Sequence, residues 1–87
     1  MTHSDDRVAS EMGRALLAIY RAGLQVKVWP DALRGRASAR IVAVASARRR
    51  LAGLRSATGK GDSPLAAIYS AVERLNERSG VEVVRLE

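Results

Sequence analysis

The apolar residues of this chain are short. It has no Phe, no Cys and one Trp, yet 47% of its 87 residues are hydrophobic, and much of that share is Ala. Short side chains let backbone layers approach closely but bury little area each, at about 25 cal/mol per Å². A chain of this length supports one modest core of marginal stability. It reads as a single domain over residues 1–87, frayed over residues 1–4, with a core of Leu, Ile and Val joined by Trp29, Tyr20 and Tyr69.

Periodicity divides the chain into six elements. Over residues 5–22, Val8, Met12, Ala15, Leu16, Ile19 and Ala22 repeat at helical spacing. Ser4 suits the N-cap, Asp5 and Asp6 suit the positive end of the macrodipole, and Gly23 suits the stop. Leu24 to Trp29 alternates like a half-buried strand, with Leu24, Val26 and Val28 on one face. Pro30-Asp31 is expected to end it, and Asp31 to Ser38 to form a loop. Arg40 to Ala45 is β-branched enough for a second strand, and Leu51 to Thr58 suits a third. Ser46 to Arg50 would then join them as a hairpin. The same stretch is Ala-rich and also admits a helix; Val, Ile and Gly53 weigh against it.

Gly59-Lys60-Gly61-Asp62-Ser63-Pro64 is the clearest boundary, read as a turn with Ser63 as N-cap and Pro64 at the first helical position. Leu65, Ile68, Ala71, Val72 and Leu75 then make an apolar stripe, Ser79-Gly80 closes the helix, and Val81 to Leu86 reads as a terminal strand. The expected fold class is α+β, in the order α-β-β-β-α-β, with two helices on one face of a small antiparallel sheet.

Charge is unevenly distributed. The formal net charge is +6. Residues 21–60 carry ten basic side chains against Asp31 alone, whereas the segments before and after are mildly acidic. A merely solvated surface would interleave the signs. A run this poor in acids favours an anionic partner. All but Lys27 and Lys60 of the fifteen basic residues are Arg, which suits bidentate contact with phosphate or carboxylate. The expected contact residues are Arg34, Arg36, Arg40, Arg48, Arg49, Arg50, Arg55 and Lys60, with Arg48-Arg49-Arg50 at the hairpin tip. Trp29 could stack on a base, but a chain so short of large apolar residues is expected to use it at the core edge.

Catalytic chemistry finds few residues. A lone His3 and the absence of Cys leave no metal cluster and no thiol nucleophile. Gly59-Lys60-Gly61 lacks the spacing of a Walker A loop, because Gly53 is one residue too far away and Gly61 stands where Ser or Thr must bind the metal. A contact from this turn to a backbone phosphate is the lesser role left to it. Glu73 and Glu77 alternate with Arg74 and Arg78 as on a solvated helix face. No enzyme, no cofactor and no metal are expected. The first residues have neither the basic nor the apolar region of a signal peptide, and Ile41 to Ala47 is too short to span a bilayer. A cytoplasmic protein without a membrane partner is the expectation.

Two resemblances accompany this reading. From Ala9 to Asn76 the element order, with a glycine-rich segment running into an Ala-rich helix, resembles a double-stranded-RNA-binding domain. Such domains set a basic cluster at the start of the second helix; here that start is Ser63-Pro64-Leu65-Ala66-Ala67-Ile68, with only Lys60 nearby. Ala57 to Val72 is similar to the glycine-proline turn and helix in the regulatory domain of isopropylmalate and citramalate synthases, with Ala66 at that family's acidic position. The latter resemblance implies a strand-turn-helix unit and allows a small-ligand regulatory role.

The function these features favour is non-enzymatic nucleic-acid binding, RNA or DNA, through the phosphate backbone. The alternative is a small protein-binding module or inhibitor, such as a phage or plasmid product, docking on an acidic partner surface or forming a homodimer through strand edges.

Overall fold

The computed structural model describes residues 3–31, 33–43 and 56–86. The chain runs α1 (His3–Arg21), β1 (Leu24–Asp31), β2 (Arg36–Ala43), β3 (Ser56–Gly61) and α2 (Pro64–Ser79). The strands form one antiparallel sheet in the order β1-β2-β3. Helix α2 lies across β3 and β2, and α1 lies along β1 and touches α2. This is the expected α+β class, with helices on the sheet. Its α-β-β-β-α order agrees with the topology of the RNA-binding resemblance.

Alternation decides which side of each strand is covered. In β2, Ala37, Ala39, Ile41 and Ala43 are buried while Arg36, Ser38, Arg40 and Val42 point the other way. From α2, Ala67, Ile68, Ala71, Val72 and Leu75 join these residues in one buried cluster. Of the fifteen buried hydrophobic residues described, seven are Ala, so the layers are thin and close.

Closeness is greatest where α2 crosses β3. A Cβ on Gly59 would lie 2.1 Å from the Ala71 backbone nitrogen and 2.5 Å from the Ala67 carbonyl oxygen. One on Gly61 would lie 2.7 Å from the Ala66 Cβ. These glycines are therefore strand residues that make room for a helix. The expected turn at Gly59-Lys60-Gly61 is corrected accordingly; Asp62-Ser63 is the bend. The helix start itself is as expected, with Ser63 Oγ accepting from the Ala66 amide at 3.1 Å and Pro64 at the first position. Gly80, at φ 77°, ends α2 in the left-handed conformation.

Other boundaries differ from expectation for identifiable reasons. The helical alternative for residues 39–58 fails at both described ends, since Ala39–Ala43 and Ser56–Thr58 pair as strands. The expected connection at Ser46–Arg50 lies outside the described residues. Strand β1 continues through Pro30 and Asp31 because it is an edge strand, where a missing N–H can face outward without losing a ladder bond. Strand β2 begins at Arg36, so the expected loop over Asp31–Ser38 shrinks to a turn around Leu33–Gly35, with Gly35 at φ 62°. Helix α1 takes in His3 and Ser4, so Ser4 is not its cap; helix ends unfixed by packing shift by a residue or two.

The composition of the core also needs correcting. Ala15 and Ile19 are the buried residues of α1, with Met12, Ala18 and Ala22 packed beside them. Val8 and Leu16 fall outside this stripe and are exposed. Tyr20 is 77% exposed and Trp29 50% exposed, so of the three large aromatics only Tyr69 packs against the core.

The expected terminal strand does not form. Residues 81–86 run beside α2 without joining the sheet. Asn76 holds them: its Oδ1 accepts from the Val83 and Val84 amides at 2.8 and 3.1 Å, and its Nδ2 donates to the Val84 carbonyl at 2.9 Å. Val81–Leu86 has the β-propensity of a strand, but Asn76 takes both backbone groups of Val84 and the Val83 amide, while the Val81 carbonyl accepts from Ser79 Oγ. Val84 is thereby seated at 2% exposure. Asn76→Ala is expected to destabilise the domain by about 2–3 kcal/mol, at roughly 1 kcal/mol per lost hydrogen bond. Urea denaturation of the two proteins measures it.

Candidate nucleic-acid interface

The helices leave the second face of the sheet open. The strand register sets its side chains in rows: Gln25, Val42 and Ser56; then Lys27, Arg40 and Thr58; then Trp29, Ser38 and Lys60; then Asp31 and Arg36. Same-face residues repeat every ~7 Å along a strand, and strands lie ~4.8 Å apart, so the rows span roughly 20 by 10 Å.

Among the described residues, four cations stand on this surface: Lys27, Arg36, Arg40 and Lys60. Among the described residues the ion pairs join Arg7 to Glu11, Arg34 to Asp31 and Arg85 to Glu82, and none of the four is paired with a carboxylate. Lys27 and Arg40 are direct cross-strand partners. Like charges facing each other in this way destabilise a sheet by up to ~1 kcal/mol. The Arg40 guanidinium leans from Lys27 toward β3, where Nη2 donates to Ser56 Oγ at 3.3 Å.

Of the residues singled out in the sequence, Arg34, Arg36 and Lys60 come together. They line a shallow depression of about 350 Å³ with Asp31, Ser38 and Gly61, beside the β1–β2 turn. Arg34 lies in that turn, with Nε 3.6 Å from the Asp31 carboxylate. Arg40 lies one row further along the open face. Arg48, Arg49, Arg50 and Arg55 lie outside the described residues. Lys60 belongs to the open face, opposite the helices, so it does not extend a basic cluster at the start of α2. That start carries no Lys or Arg from Ser63 to Val72.

Two residues of the face were missed. Lys27 was counted in the basic segment but not among the contact residues, and Trp29 was assigned to the core edge. The signal was in the alternation: once Leu24, Val26 and Val28 define the covered face, Lys27 and Trp29 must lie opposite.

Among the described residues no three His, Cys, Asp or Glu side chains gather closely enough to hold a metal ion, and no helix is long and apolar enough to cross a membrane. Comparison of the chain with protein-family models, with curated proteins and with solved structures finds no match in any of the three.

Proposed function

We propose that the protein is a non-enzymatic nucleic-acid-binding domain that holds a phosphate backbone on the open face of its sheet. The observation that carries this reading is the facing pair Lys27–Arg40 within a surface whose cations lack carboxylate partners. Arg36 and Lys60 extend the contact toward the β1–β2 turn, where Arg34, paired with Asp31, stands at the rim. Phosphate contacts position a ligand without reading its sequence, so weak sequence preference is part of the proposal. Titration of labelled oligonucleotides over a salt series tests it: affinity that scarcely changes between low and moderate salt rules out phosphate neutralisation.

One substitution separates binding from folding. Lys27→Glu converts a repulsive cross-strand pair into an attractive one, so it is expected to raise stability by roughly 0.5 kcal/mol. The same change puts a carboxylate under the phosphates and is expected to weaken binding at least tenfold. Thermal melts and anisotropy titrations on one preparation read both quantities. A stability rise with unchanged affinity would remove Lys27 from the interface.

A second reading, an acidic protein partner, is favoured by a different surface. Between α1 and the tail, Arg14, Arg21 and Arg85 surround a groove of about 410 Å³ floored by Leu17, Ala18 and Val83. Tyr20 is exposed on the same helix. Purification with and without nuclease discriminates the readings: copurifying nucleic acid supports the first, and a nucleic-acid-free protein whose binding to polyglutamate is lost in the Arg14→Ala, Arg21→Ala variant supports the second.

A further inference from the structure

We infer that the open face takes a single strand, with Trp29 as a stacking platform for one base. This rests on the nucleic-acid reading above and names its ligand class.

Trp29 stands on the edge strand β1, between charged rows of the open face. Ser38 and Lys60 continue its row, Lys27 and Arg40 form the row on one side, and Arg36 with Asp31 the row on the other. Half of the Trp29 surface is open to solvent although the chain has no other Trp, no Phe and only two Tyr to spend on its core. In a protein this poor in large apolar residues, an indole outside the core forgoes packing that the fold needs.

The combination of cations and an indole fixes the class of partner. Cations attract the backbone of any nucleic acid. An indole gains from a base only when the base offers a free π-face, and bases inside a duplex are already stacked on both sides. A sheet meets the bases of a duplex only after the duplex is bent and its groove opened, a cost that an unpaired strand does not carry. A plane with one aromatic among cations suits unstacked bases of a single strand, with backbone on either side. Such stacking tolerates every base.

The test uses the emission of Trp29, the single Trp of the protein. Wild-type protein is titrated with an oligothymidylate of about twelve nucleotides and with a blunt duplex of equal phosphate number. The expected result is quenching by the single strand, tighter binding of it than of the duplex, and unchanged emission with the duplex. By anisotropy of a labelled oligothymidylate, Trp29→Ala is expected to bind roughly 5- to 100-fold more weakly, and Trp29→Phe to recover most of the loss. Thermal melts verify that both variants fold. Binding indifferent to strandedness, or a Trp29→Ala variant as tight as wild type, overturns the single-strand inference and leaves the backbone-binding proposal standing. Failure of both oligonucleotides to bind overturns both.

Discussion

Replacing Gly59 by Ala is expected to cost the domain a large part of its stability, about a quarter or more. The new Cβ would stand 2.1 Å from the Ala71 nitrogen and 2.5 Å from the Ala67 oxygen. Both obstacles are backbone, so no side-chain rotation relieves them. Helix α2 must instead retreat from β3 by more than an ångström, loosening Ile68, Ala71 and Val72 together. Overpacking a core costs about 1–3 kcal/mol when side chains can adjust, and a backbone obstacle belongs at or above the top of that range. A domain of this length has only roughly 4–13 kcal/mol in total. A loss of ~3–4 kcal/mol corresponds to a melting point lower by about 12–30 °C. Gly13→Ala is the contrasting control. Gly13 lies inside α1 with nothing within 4 Å of its would-be Cβ. There the same substitution is expected to stabilise by about 0.5–1 kcal/mol through helix propensity. Opposite signs at the two positions are the required outcome in differential scanning calorimetry.

Neutralising the open face is expected to have the largest effect on binding. Four phosphate contacts to a single strand give a slope of about −3 in log affinity against log salt, or a roughly fiftyfold weakening from 50 to 200 mM. The variant carrying Lys27→Ala, Arg36→Ala, Arg40→Ala and Lys60→Ala should flatten that slope by about 3 units. The double variant Arg40→Ala, Lys60→Ala should flatten it by about half as much. All four positions lie on the open side of the sheet, so melting points should move little. A quadruple variant retaining the wild-type slope would show that the phosphates are held elsewhere, with the arginines of residues 44–55 the first candidates.

How much was legible in the sequence depended on whether a residue type has one structural use or several. Ser63 before Pro64 has one dominant use, and α2 starts there. Gly80 ends the same helix for an equally local reason. Glycine at 59 and 61 has two uses, turning the chain and admitting a neighbouring backbone, and only the packed helix reveals the second. The tail failed in the opposite sense. Val81–Leu86 has the propensity of a strand, but strand formation requires a partner edge, and Asn76 supplies a competing set of hydrogen bonds from a residue that carries no such signature. The open face was partly readable. Arg36, Arg40 and Lys60 stood out by charge, while Lys27 and Trp29 required side-chain parity to be weighed above the preference for burying an indole.

The glycine contact between α2 and β3 also bears on how the open face would meet a ligand. Where two backbones touch, no layer of side chains lies between them to change rotamer and let the strand flex. Strand β3 is thus braced from behind by a helix pressed directly against it, and Lys60 projects from between the two glycines that create the brace. A surface held in this way is pre-organised: its main chain has little freedom left to surrender on association, and the ordering cost falls on the long cationic side chains and on the ligand. Exchange with deuterium of those β3 amides that bond to β2 should accordingly be as slow in the free protein as in the complex.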